Sequence, residues 1–182
     1  MSDSRRVVVL AVGGGIAAYK SAFLCSRLVQ AGYEVRVALT RSATNFVGAS
    51  TFAALSGKRV ATEVFDPEAH PLGSHIELGD GCGLMIVAPA TANLLSKFAV
   101  GQADDLISTL YLQVACPVLI APAMSESMWS KAAVQRNVER LREDGCHFVG
   151  PATGWLSCRV RGDGRMSEPD EILATAEGLF NE

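Results

Sequence analysis

Apolar runs alternate along this chain with segments whose apolar residues recur at helical spacing, and that alternation constrains the fold more than anything else. Val7–Val12, Glu34–Leu39, Leu84–Ala88 and Pro117–Ala121 read as strands. The segments that follow them, 16–31, 45–56, 91–100 and 130–144, read as helices. A β-branched run such as Val7–Val12 is apolar on both faces and must be covered on both, as the central strand of a parallel sheet is. Strand–helix repetition with that requirement predicts an α/β, doubly wound parallel sheet, Rossmann-like or flavodoxin-like, in three layers. A single domain over residues 1–182 fits the length.

The remaining segments are less regular. Helix 16–31 stops at Gly32, and helix 45–56 stops at Gly57. Val60–Phe65 suggests a short third strand. Residues 66–83 are polar and glycine-rich, with a short helix around His75–Leu78. Residues 104–114 read as a helix, His147–Val149 as the last strand, and 154–166 as an irregular loop. Ser167 then suits the N-cap of a final helix, with Glu168 and Pro169 in its first turn.

Composition narrows the function classes. Apolar residues make up 49% of the chain and charged residues 19%, which predicts a packed core rather than disorder. A net charge of −3 gives no reason to expect nucleic acid or an anionic membrane as partner. Five cysteines, an odd number with no C-x-x-C pair, suggest reduced thiols in a cytoplasmic protein. His70, His75 and His147 lack metal-ligand spacing, so no metal is expected. Arg5-Arg6 ahead of Val7–Val12 mimics a secretory signal. The short apolar run ends at Gly13-Gly14-Gly15, with Lys20 soon after, and a buried strand is the better reading. No run is long and apolar enough for a membrane helix.

Candidate site residues cluster where strands give way to helices. Gly13-Gly14-Gly15-Ile16 follows the first strand and opens a helix, where glycine backbone and free amides favour a phosphate. The second strand ends Thr40-Arg41-Ser42, a hydroxyl and a cation in place of the acid that holds an NAD ribose; Arg41 leaves NADP open. A tight glycine turn without a ligand is the alternative. Thr91-Ala92-Asn93-Leu94 follows the strongest buried strand, and Thr91 equally suits an ordinary helix cap. Phe46 suits either a flat aromatic ligand or the core. His75 suits proton transfer near neutral pH or a structural role. Pro122–Trp129 holds Met124, Ser125, Met128 and Trp129 where an α/β sheet opens into a crevice, although methionine and tryptophan usually pack in cores. Trp155-Leu156-Ser157-Cys158 precedes Arg159, Arg161 and Arg165. The three arginines suit a phosphorylated substrate, or simply an exposed basic loop with an incidental cysteine.

In their order, these segments resemble the homo-oligomeric flavin-containing cysteine decarboxylase family over nearly the whole chain. The Leu156-Ser157-Cys158 to Gly162-Asp163-Gly164-Arg165-Met166 stretch resembles its phosphopantothenoylcysteine branch. The resemblance implies FMN held by Gly14, Gly15, Ile16, Thr40, Ser42, Phe46, Thr91, Ala92, Asn93 and Leu94. It implies His75 as catalytic base and Cys158 as catalytic acid on a substrate-covering flap. Met124, Ser125, Trp155, Leu156, Ser157 and Arg165 would contact a phosphorylated cysteine conjugate. It further implies a homotrimer or trimer-based dodecamer with active sites between subunits, and a separate upstream ligase, since this chain ends after the final helix with no fused ligase domain.

The implied reaction is decarboxylation of 4′-phosphopantothenoylcysteine to 4′-phosphopantetheine and CO2 in coenzyme A biosynthesis. The thiol is oxidised to a thioaldehyde, CO2 leaves to give an enethiol, and re-reduction follows. Departures from the family pattern are Ser125 for asparagine, Arg159 for glycine, and Asp105 for asparagine. Ser125 has a shorter reach than the amide it replaces. It therefore raises a second function class, a non-catalytic FMN-binding subunit of a hetero-oligomer; a peptidyl-cysteine decarboxylase is a third expectation.

Overall fold

In a computed structural model that describes residues 6–180, Val7–Val12 forms β1 and is buried at every position. Its side chains point alternately to the two faces, as a pleated strand requires. Val8, Leu10 and Val12 join one core with Leu24 and Leu28 of α1 (Ala18–Gln30), Phe52 of α2 (Ala49–Ser56) and Ile172 of α8 (Pro169–Phe180). Val9 and Ala11 join a second core with Leu94 and Phe98 of α4 (Ala92–Val100), Leu110 of α5 (Leu106–Gln113) and Leu141 of α7 (Ala132–Glu143). Each fully buried aliphatic side chain contributes about 1.5–3 kcal/mol, so the sandwich is held from both faces.

The sheet has five parallel strands in the order β2 (Glu34–Leu39), β1, β3 (Leu84–Ala90), β4 (Val118–Pro122), β5 (His147–Phe148). The expected doubly wound fold is therefore present. With β1 lying between β2 and β3, the connections leaving β1 and β3 turn to opposite faces. A crevice opens between them at the carboxyl edge.

Several expected segments differ. Residues 60–65 do not form a strand; a single bridge pairs Ala61 with Ala38, and Phe65 is 82% exposed. The helix expected from residue 45 begins at Ala49, after a 3-10 turn over Ala43–Asn45. The last helix begins at Pro169, which moves the cap position from Ser167 to Glu168. The Glu168 N–H donates to Glu171 Oε2 at 3.0 Å. Residues 154–166 are not irregular: β6 (Ala152–Trp155) and β7 (Arg161–Arg165) pair as an antiparallel hairpin. Of the pair Arg5-Arg6, Arg5 lies outside the described residues. Among the described residues no helix is long and apolar enough to cross a membrane, and no group of three or more acidic, histidine or cysteine side chains could hold a metal.

Candidate active site

Two adjoining cavities of about 440 and 540 Å3 open at the carboxyl edge and share Gly15, Ala123 and Met124 on their walls. The turn after β1 separates them. Gly13 must be glycine because a Cβ there would strike the Pro89 carbonyl, which accepts its N–H at 3.1 Å. At Gly14 a Cβ would strike Ser42. Gly15 differs: a Cβ there would meet only Thr91 Cγ2, at 4.0 Å. Neither packing nor a left-handed φ demands glycine at this position, so what its bareness preserves is cavity space.

The larger cavity is lined by Gly14, Gly15, Thr40, Arg41, Ser42 and Thr91-Ala92-Asn93-Leu94. Helix α4 begins on its wall, and the glycines that lead towards α1 lie there too. The N–H groups of Gly14, Gly15, Ile16 and Ala17 have no protein acceptor among the described residues, and Ala17 offers α1 no side-chain cap. Thr91 does cap α4, accepting from the Leu94 N–H at 3.3 Å, but Ala92 and Asn93 keep free amides. Unpaired amides at helix starts make a site for anionic or acceptor-rich groups. Thr40 is partly committed to its own turn, accepting from the Ala43 N–H at 3.1 Å, whereas the exposed Ser42 hydroxyl has no partner among the described residues. These features fit a phosphate joined to an acceptor-rich group.

Lys97, on the same wall, was not singled out by the sequence. Its ammonium lies 2.6 Å from both Asp104 and Asp105. Asp105 also caps α5 through the Ser108 N–H at 2.8 Å. Burial works to raise the Asp105 carboxyl, but the hydrogen bonds from Lys97 and Ser108 outweigh it and hold it below the ordinary range. A carboxylate serves as well as the family's asparagine at this cap.

The smaller cavity lies between Ile16, Tyr19 and Lys20 on one side, Met124 and Ser125 on another, and the hairpin residues Trp155, Leu156, Ser157, Cys158 and Arg165. It thus brings together every substrate-contact residue read from the sequence, with Cys158. The hairpin is seated on the segment after β4, where the Met124 N–H donates to the Gly164 carbonyl at 3.0 Å. A Cβ on Gly162 would strike the Glu126 carboxylate, and one on Gly164 the Met124 carbonyl. The Ser125 hydroxyl lies 3.2 Å from that of Ser127 in α6 (Glu126–Trp129). Arg165 donates to Glu168 at 2.7 Å.

Sequence reasoning also missed Lys20. It is only 6% exposed, yet its ammonium donates to the Met166 carbonyl at 3.1 Å and to Glu168 at 2.8 Å. The hydrogen bond from Lys20 is the main reason the Glu168 carboxyl lies below its ordinary range. A lysine among the apolar positions of α1 was a signal that a partner had to exist, but nothing local could name a residue so distant.

His75 and Phe46 line neither cavity of the single chain. His75 sits on α3 (Ser74–Gly79), whose end is gripped by Arg36; one guanidinium nitrogen donates to the carbonyls of Glu77, Leu78 and Asp80 at 3.0, 3.2 and 2.6 Å. Within the helix, Glu77 reaches back to the segment before it, accepting from the Leu72 N–H and pairing with His70 Nδ1, both at 3.0 Å. His75 Nδ1 is buried without a partner among the described residues.

A twin-cavity α/β crevice with free amides at two helix starts and a hairpin seated beside it has the form of a cofactor site with a second pocket next to it. The sequence pattern of the Flavoprotein family matches residues 1–181, and the chain belongs to that family. It is 46% identical over 179 residues to the coenzyme A biosynthesis bifunctional protein CoaBC of Bacillus subtilis, covering 98% of this chain and 44% of that one. The Mycobacterium tuberculosis (H37Rv) CoaBC is 46% identical over 184 residues, 99% of this chain and 43% of its own. The chain therefore spans less than half the length of these curated relatives. Among solved structures, a PPC decarboxylase variant complexed with pantothenoylaminoethenethiol superposes with TM-score 0.85 at 27% identity, covering 98% of this chain and 100% of the other. The FMN-dependent cysteine decarboxylase SpaF superposes with TM-score 0.83 at 32% identity, covering 98% and 99%.

Proposed function

We propose that this chain is an FMN-dependent carboxy-lyase that converts 4′-phosphopantothenoylcysteine to 4′-phosphopantetheine and CO2 in coenzyme A biosynthesis. The observation that carries this reading is the smaller cavity, which sets Met124 and Ser125 against Cys158 and Arg165 beside the open start of α1. The free amides of residues 14–17 and the Ser42 hydroxyl would hold the FMN phosphate, with residues 91–94 beside the ring. When bound, FMN supplies two-electron chemistry at the cysteine sulfur. The protein's part is to orient the substrate, exclude water and move protons. Ser125 would donate to the substrate carboxylate, once freed from Ser127. Arg165 and its neighbours would attract the substrate phosphate. Cys158, exposed on the hairpin, would deliver a proton, and the buried unpaired Nδ1 of His75 suits a ring positioned to accept one.

Because His75 and Phe46 lie outside both cavities, we place them in a site completed across a subunit boundary, in a homotrimer or trimer-based dodecamer. A ligase would supply the cysteine conjugate. One experiment tests chemistry and assembly together. The flavin-loaded parent should release CO2 and form phosphopantetheine, while His75→Asn and Cys158→Ser should each lose about 100-fold or more. Mixing the two inactive variants through reversible dissociation should restore part of the activity, since some sites then pair an intact histidine with an intact cysteine. A fully flavin-loaded parent without turnover overturns the function; no recovery on mixing overturns the shared site.

The Ser125–Ser127 contact favours a second reading, a flavin-binding subunit without catalysis of its own. It predicts an inactive parent in which Ser125→Asn creates activity. A peptide ending in cysteine, offered as substrate in the same assay, tests the peptidyl-cysteine alternative.

A further inference from the structure

At the amino edge of the sheet, opposite both cavities, Cys82 and Cys116 lie side by side ahead of β3 and β4. Their sulfurs are 3.2 Å apart, with the Cys116 thiol donating to Cys82 Sγ. That is roughly 1 Å beyond a disulfide bond of about 2 Å. The backbone around them is fixed by bonds that do not involve the sulfurs: Gly83 N–H to Val7 O at 2.9 Å and Met85 N–H to Pro117 O at 3.0 Å. Both side chains are half-buried, so a small oxidant can reach them, and neither lines either of the two cavities at the carboxyl edge. Packing alone gives no reason to aim two thiols at each other.

We propose that Cys82 and Cys116 are a reversible thiol–disulfide site, in which Cys82 is the attacking thiol and Cys116 the resolving one, oxidised by a peroxide or a low-molecular-weight disulfide. The surroundings distinguish the two roles. The Cys116 S–H bond, then the Val9 and Leu84 amides and the Arg36 charge, pull the Cys82 thiol below its ordinary range against the opposing effect of burial. The same contact and burial push Cys116 up. A thiolate is the nucleophile.

With hydrogen peroxide, Cys82 sulfur attacks one peroxide oxygen and the O–O bond breaks. Cys82 becomes a sulfenic acid and the other oxygen leaves as water, taking the thiol proton. Cys116 sulfur then attacks Cys82 sulfur, the S–O bond breaks, and a second water leaves with the Cys116 proton. Two thiols lose two electrons and two protons, and the peroxide becomes two waters. With oxidised glutathione, Cys82 sulfur attacks one glutathione sulfur, the S–S bond breaks and one glutathione thiol leaves with the Cys82 proton; Cys116 sulfur then attacks Cys82 sulfur and the second glutathione thiol leaves with the Cys116 proton. The bond would fasten the turn after α3 to the turn between α5 and β4.

The test uses the full flavin-loaded chain, reduced, exposed to one equivalent of hydrogen peroxide or oxidised glutathione, then blocked with N-ethylmaleimide and mapped without reductant. The expected result is a linked peptide pair joining residues 82 and 116, two mass units lighter than the dithiol, with Cys25 fully blocked as a free thiol after denaturation. Recovery of both Cys82 and Cys116 as maleimide adducts, or of a stable glutathione adduct on Cys82 that Cys116 leaves unresolved, overturns the site. In a second arm, Cys116→Ala should slow alkylation of Cys82 by iodoacetamide at neutral pH by ~3-fold or more. An unchanged rate overturns the assignment of Cys82 as the attacking thiol. Neither arm depends on decarboxylase activity.

Discussion

Arg159 holds φ at +65°, the one left-handed non-glycine among the described residues, in the tight turn closed by the Leu156 and Val160 backbone. A Cβ in that region costs about 1–2 kcal/mol, which explains why glycine suits the position and arginine departs from the family pattern. Arg159→Gly should remove that strain while giving back part of it as unfolded-chain freedom, about 0.5–1 kcal/mol. The expected outcome is a gain of roughly 1 kcal/mol or less in stability, read from urea unfolding. A loss of stability would mean that the Arg159 side chain makes compensating contacts. Ser125 is the companion case: its hydroxyl is satisfied locally by Ser127, so the shorter side chain carries no folding penalty of its own. Any effect of that substitution should therefore fall on turnover.

The hairpin over residues 152–165 is the element that turns an open edge into a chamber. It rests on Gly164, whose φ of +120° and close approach to the Met124 carbonyl exclude a side chain. Gly164→Ala should unseat the hairpin while leaving the five-stranded sheet intact. Amide exchange at Met124 and along β6 and β7 should rise about tenfold or more, with protection in β1 and β3 unchanged. Equal loss of protection in the sheet would contradict this independence. The same hairpin was illegible in the sequence. Glycines at 154, 162 and 164 and charges at 161, 163 and 165 erase the alternation that marks a strand, and its pairing is completed by contacts with Met124 and Glu126 far back in the chain. β1 was legible to the residue through its continuous apolar run, and β2 through Val35 and Val37 alternating with Glu34 and Arg36 before the apolar end at Ala38 and Leu39. The expected strand at 60–65 is reduced to one bridge at Ala61, and Phe65, counted among its apolar residues, points to solvent. At the site, the loops after β1, β2, β3 and β4 were legible through glycines and hydroxyls at strand ends. Lys20 and Lys97 were not, since their roles depend on Glu168 and Asp105, which local sequence cannot pair with them.

Across the whole molecule, carboxyls with lowered pKa set the acid limit. A bond from Arg36 lowers Glu34, the Leu72 amide lowers Glu77, Lys97 lowers Asp104, Lys20 lowers Glu168, and Arg27 lowers Asp170. Each group binds a proton less readily folded than unfolded. Their contribution is present above the ordinary values of 3.8 and 4.5 and is lost as the pH falls through the lowered folded ones. The urea midpoint should therefore decline steadily from pH ~5 to pH ~3 and stay nearly flat above pH ~6. A midpoint that holds constant down to pH ~3 would mean that these pairs persist equally in the unfolded chain. The carboxyl sides of the Glu34, Asp104, Glu168 and Asp170 pairs are exposed, so salt should flatten the slope.

The Lys20 ammonium reaches a carboxylate 148 positions further along the chain. On the ribosome, the sheet and the larger cavity can be laid down once β4 and its neighbours have emerged. The smaller cavity gains its anchored rim only when α8 follows. On the proposed assignment of the two cavities, the wall that would hold the flavin is thus complete along the chain before the rim that would enclose a substrate.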